Sequence, residues 1–80
     1  MYKILGYAKK SGTLDNGRAW ENITFYVSID SQKVGLNGVE TDKLKAPVYF
    51  DTSKVAIGAL YNAYFDKYGK LMELRLVKEG

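Results

Sequence analysis

The chain has 80 residues, which is enough for one domain over residues 1–80 and no more. It has no cysteine and no histidine, which removes disulfides, thiolate metal sites and the commonest general base, and no apolar run approaches the roughly 18 residues of a membrane-spanning helix. Twelve basic against nine acidic residues leave +3, gathered towards one end: Lys3, Lys9, Lys10 and Arg18 meet only Asp15 within residues 1–20.

Tyr2 to Lys9 reads as a first strand. Asp15-Asn16-Gly17 follows as a hairpin signal, because Asn and Gly tolerate the positive φ that tight turns need. Arg18 to Ile29 is the clearest strand. Ile23, Phe25, Val27 and Ile29 alternate with Asn22, Thr24, Tyr26 and Ser28. The period of two sends the first set to the core and puts Arg18, Trp20, Asn22, Thr24, Tyr26 and Ser28 on the outer face. Lys33 to Leu36 and Val39 to Leu44 read as a third unit, turned by Asn37-Gly38, and Pro47 interrupts pairing after it. Val55 to Phe65 is open to two readings. Ile57, Leu60, Tyr61 and Tyr64 fit helical spacing behind a Thr52 or Ser53 cap, but Gly58 and the Asp66–Gly69 turn favour a strand. Lys70 to Lys78 closes the chain as a strand with Met72, Leu74 and Leu76 on one face. The expectation is an all-β fold, a five-stranded OB-like barrel with room for a short helix around 53–63. An SH3-like barrel would read almost the same.

Catalysis is not expected. Ser11, Ser28, Ser31 and Ser53 have no histidine to activate them, and Gly12 to Gly17 lacks the lysine and following helix of a phosphate-binding loop. The carboxylates are scattered, so no metal or other cofactor is expected. The N-terminal ten residues have too few consecutive apolar residues for a signal peptide. The aromatic content is the informative part. Seven tyrosines, three phenylalanines and one tryptophan exceed what so small a core hides easily, since such a domain buries only about 60% of its unfolded surface. Binding of single strands needs cations for phosphates and ring faces for bases. Lys9, Lys10 and Arg18 supply charge on the first hairpin, and Trp20 and Tyr26 supply rings on the adjoining strand. Tyr68 at a turn tip is a further ring. The plainer alternative makes Trp20 a packing residue at the barrel rim.

Lys10-Ser11-Gly12 followed by Gly17-Arg18-Ala19-Trp20 resembles the DNA-binding hairpin of the filamentous-phage single-stranded-DNA-binding, or helix-destabilising, proteins. Tyr68-Gly69-Lys70-Leu71-Met72, then Leu74-Arg75-Leu76-Val77, resembles their last hairpin and strand, in the same order. The sequence departs from the family's pattern at Asp15 and Glu73, near positions where arginines are expected. The resemblance implies an OB-fold homodimer that coats single strands during replication of a phage or mobile element, in the bacterial host's cytoplasm and away from membranes. It implies Lys10 and Arg18 on phosphates, Trp20 and Tyr26 as stacking platforms, Tyr68 reaching toward DNA held by the other subunit, and Arg75 as a last-strand contact. RNA is a second candidate ligand. A competing reading is an SH3-like protein–protein module, because Ala59-Leu60-Tyr61-Asn62-Ala63-Tyr64 faintly echoes its ligand-groove motif. Tyr61 and Tyr64 are expected instead in the core or a dimer interface.

Overall fold

The computed structural model describes residues 1–29, 35 and 37–79. Five strands run in chain order: β1 (Tyr2–Thr13), β2 (Ala19–Ile29), β3 (Glu40–Ala46), β4 (Leu60–Phe65) and β5 (Leu71–Lys78). They form one antiparallel sheet in the order β3-β2-β1-β4-β5. The all-β, five-stranded expectation is met. The sheet curls until β3 and β5 come into contact, but no ladder joins them, so it stays open rather than closing as a barrel among the described residues. Most of the expected Lys33–Leu36 segment lies outside the described residues. No helix in the described residues is long and apolar enough to cross a membrane.

The two clearest hairpins share one turn design. Leu14 N–H donates to the Arg18 carbonyl (2.8 Å) and Gly17 N–H to the Leu14 carbonyl (2.9 Å). Asp66 N–H donates to the Lys70 carbonyl (2.9 Å) and Gly69 N–H to the Asp66 carbonyl (3.1 Å). In both, the last of the three loop residues is a glycine in the left-handed region, with φ 83° at Gly17 and 81° at Gly69. That is the three-residue hairpin loop, a tight turn followed by one left-handed residue. Asn16 does not take positive φ. Its side-chain oxygen accepts from Arg18 N–H at 3.0 Å and holds the turn from the side.

The core follows β2. Ile23, Phe25 and Val27 are buried as their alternation requires, and Ile4, Leu44, Ala46, Ala59, Tyr61 and Leu71 complete the cluster. Phe25 is fully enclosed, with Tyr7 and Phe50 ring centroids 5.5 and 5.4 Å away. Such edge and tilted contacts add to area burial because ring edges are electropositive and ring faces electronegative. Two expectations are corrected here. No helix forms around 53–63. Residues 52–59 instead make two successive turns, with Val55 N–H on the Thr52 carbonyl (3.1 Å) and Ala59 N–H on the Ala56 carbonyl (3.3 Å), and Gly58 stands at φ 93°, outside helical space. On β5, Leu71 is buried and Met72 is exposed. A register shift between Phe65↔Leu71 and Tyr64↔Glu73 makes Met72 the extra residue of a bulge, which moves the inward set by one at the strand's start.

Tyr61 ties the irregular segment to the core. Its ring is buried at the start of β4, and its hydroxyl accepts from Ala56 N–H (2.7 Å) and donates to the Lys54 carbonyl (3.3 Å). Replacing it as Tyr61→Phe keeps the ring and strands two backbone groups. The expected loss is about 1–3 kcal/mol of stability in urea denaturation. An unchanged denaturation midpoint would mean the hydroxyl does not hold the 54–56 segment.

Candidate functional site

Antiparallel pairing puts directly opposite side chains on one face. Trp20 lies opposite Gly12, Asn22 opposite Lys10, Thr24 opposite Ala8 and Tyr26 opposite Gly6 on β1. On the other side of β2, Thr24 pairs with Lys45 and Tyr26 with Lys43. One face of three strands thus carries Lys10, Lys43 and Lys45 around Trp20 and Tyr26. The small residues of β1 sit beside the large ones of β2. Thr24 is on this face but is buried rather than exposed, and its hydroxyl donates to the Asn22 side-chain oxygen at 3.2 Å.

Tyr26 is half-buried between two cations. Lys10 Nζ stands 5.3 Å and Lys43 Nζ 5.8 Å from the centroid of its ring. The hydrogen bond with Lys10 pulls the phenol below its ordinary pKa. Desolvation opposes that shift, and the charges of Lys10 and Lys43 add to it. The pair of ammonium groups also places positive potential over an aromatic face, an arrangement that attracts anions to the rim of a ring.

Trp20 and Tyr68, from opposite ends of the chain, wall one hollow of about 460 Å³ with Lys45, Pro47 and Lys70. A second hollow of about 680 Å³ adjoins it, sharing Pro47, Tyr68 and Lys70, and is lined further by Tyr49, Phe50 and Lys54. Together they make a trough beneath the β4–β5 turn. Both volumes lie in the range of roughly 300–1,000 Å³ usual for small-ligand sites. Tyr68 is 77% exposed and Tyr49 is 86% exposed, so both rings are free to be covered. Lys67 Nζ lies 5.0 Å from the Tyr68 ring centroid.

Two carboxylates of the trough, Asp66 and Asp51, shape it, while Glu21 lines the hollow beside Trp20. Asp66 Oδ1 accepts from the N–H groups of Tyr68 (2.8 Å) and Lys70 (2.9 Å), which sets the Tyr68 tip. Asp51 Oδ1 accepts from Ser53 through its hydroxyl (2.6 Å) and its N–H (2.9 Å), and these bonds, with the Lys54 charge adding, lower its pKa. Among the described residues, no group of three or more metal-ligating side chains comes together.

The seven residues singled out from the sequence therefore divide. Lys10, Trp20 and Tyr26 share one face, and the fold brings Tyr68 to Trp20. Arg18 closes the first hairpin opposite Leu14, exposed at its tip. Lys9 pairs with Ile23 and points to the other face of the sheet. Arg75 is held elsewhere on the β4–β5 hairpin. Its guanidinium carbon is 4.9 Å from the Tyr64 ring centroid, and its Nε lies 3.1 Å from Glu73 Oε2. Glu73 foremost, then Tyr64, raise its pKa, so it stays charged but partnered. Sequence reasoning missed Lys43, Lys45, Lys70 and Tyr49. The alternation Lys43, Leu44, Lys45, Ala46 carried a legible signal for the first two. The fold alone reveals Tyr49 and Lys70.

The chain matches no protein-family model, no curated protein and no solved structure.

Lys10→Ala removes the nearer cation from the Tyr26 phenol. With the hydrogen bond and one positive charge gone, the phenolate loses stabilisation, so the titration of Tyr26 moves to higher pH. Ring-labelled tyrosine followed by NMR through the alkaline range would show the shift. A Tyr26 titration that stays put would place Lys10 away from the ring in solution.

Proposed function

We propose that this chain is a sequence-tolerant single-stranded-DNA-binding protein that coats and protects single strands during replication of a phage or mobile element. The observation that carries the reading is the trough. Two partly exposed rings, Trp20 and Tyr68, border it together with Lys45 and Lys70. Beside it, Lys10 and Lys43 flank a third ring, Tyr26, on the same face as Trp20.

The chemistry divides the labour. Phosphates run along the lysines of the β1–β2–β3 face, because the second hollow sets Asp51, Asp66 and Glu73 against Lys54 and Lys70 and so attracts a polyanion less. Bases turn towards the trough, where stacking on each ring contributes about 1–3 kcal/mol with little regard to base identity. An unpaired strand offers such base faces and a duplex does not. RNA strands satisfy the same requirements. With a net charge of only +3, electrostatics alone would give weak binding, so the rings must supply much of the affinity.

The homodimer is part of the same proposal and rests on the resemblance to the phage proteins. Exposed Phe65, Met72, Leu76 and Val77 on the β4–β5 hairpin support self-association, because a monomer of this size gains stability by covering them. The proposed setting is the cytoplasm of a bacterial host.

Titrating oligo-dT into the protein at low salt tests the reading directly. Trp20 fluorescence should be quenched, and duplex of equal length should compete poorly. Affinity should fall with salt at about 0.7 log units per phosphate neutralised per tenfold change. The double variant Lys43→Ala/Lys45→Ala should flatten that slope by about 1.4 log units if each lysine meets one phosphate. No quenching and no competition at low salt would end the proposal. Capture of proline-rich peptides instead would favour the protein–protein module.

A further inference from the structure

We propose that Gly12 is a positioning residue for the Trp20 ring: the side chain it lacks is the space in which the indole lies against β1 and forms its wall of the trough. This inference rests on the single-strand reading of that trough and adds a residue to it. Gly12 is paired directly opposite Trp20 across the first hairpin. A Cβ on residue 12 would stand 2.6 Å from indole Cζ2, 2.7 Å from Cε2 and 2.8 Å from Nε1, all below the 3.0 Å that real Cβ atoms essentially never undercut. The obstructing atoms belong to a stiff bicyclic ring. It has no flexible end to bend aside, so a methyl group there requires the whole ring to leave its position.

The backbone gives no other reason for glycine at this position. Gly12 does not have positive φ, unlike the glycines of the turns, and it lies within a regular stretch of the β1–β2 ladder. Glycine inside a strand weakens it, and close approach of another group is one of the few reasons to tolerate it. Gly6 supplies the contrast. It is on the same strand and the same face, opposite Tyr26, also without positive φ, and a Cβ there meets nothing within 4 Å. Gly6 adjoins the register shift of β1 after Ile4, a backbone irregularity that Gly12 lacks, and of the two only Gly12 has a ring in its Cβ space.

The test compares Gly12→Ala with Gly6→Ala. Without DNA, Gly12→Ala should change the indole emission and make it more accessible to acrylamide, while Gly6→Ala should leave both as in the parent protein. With oligo-dT, Gly12→Ala should weaken binding about tenfold, the loss of one stacking platform. Gly6→Ala should not weaken it. In a Trp20→Ala background, Gly12→Ala should have no further effect, because the residue acts only through the ring. If Gly12→Ala alone fails to fold, recovery of folding in Gly12→Ala/Trp20→Ala would trace the failure to the ring and support the proposal. Unchanged indole behaviour in Gly12→Ala, an equal loss of affinity with and without Trp20, or failure of the double variant to fold when Trp20→Ala folds would overturn it. Absence of oligo-dT binding by the parent protein would instead remove the single-strand reading, and the indole measurements would still decide the role of Gly12.

Discussion

The hydrogen bonds that close the Leu14–Arg18 turn set the register of the β1–β2 hairpin, and that register sorts the side chains of three strands onto two faces. Because the strand period is two, a slip of one residue would turn Ile23, Phe25 and Val27 to solvent and bring Trp20 and Tyr26 inside. The cost of exposing three buried apolar side chains is about 1.5–3 kcal/mol each, a large share of the stability a domain this small possesses. The core therefore enforces the register, and the register in turn delivers Lys10, Trp20 and Tyr26 to the same surface as Lys43 and Lys45.

A second constraint acts from the other end of the chain. The β4–β5 turn repeats the geometry of the first, and Asp66 binds two of its backbone amides, so the Tyr68 ring is presented from a rigid tip. The curl of the sheet carries that tip to Trp20. The turns between Thr52 and Ala59, pinned by the Tyr61 hydroxyl, border the second hollow. Rigid walls matter for any ligand that binds by stacking, because a ring held in place loses little freedom when a base covers it.

Charge in this molecule is arranged more than it is abundant. Lys10 and Lys43 flank the Tyr26 ring, whereas Arg75 is committed to Glu73 and Tyr64. On the proposed reading this separates a cationic track from a more mixed aromatic hollow. A strand lying there would be gripped by its backbone on one side and by its bases on the other.

The amino-acid sequence by itself determined the five strands, both glycine-closed hairpins and the inward set of β2, because turn chemistry and a period of two are local properties. It also marked Trp20, Tyr26 and Lys10 as neighbours, since they belong to one hairpin. It left the segment after Pro47 open between helix and strand, favouring the strand that forms as β4, and it misread the start of β5. Helical spacing after Pro47 competed with turns that the Tyr61 hydroxyl and the backbone of Ile4 stabilise from a distance, and a bulge at Met72 moved the inward position to Leu71. The meeting of Tyr68 with Trp20 and the part played by Lys70 and Tyr49 were decided only by tertiary structure. Each depends on how far the sheet curls and where a ladder shifts register, and those follow from packing among residues far apart in the chain.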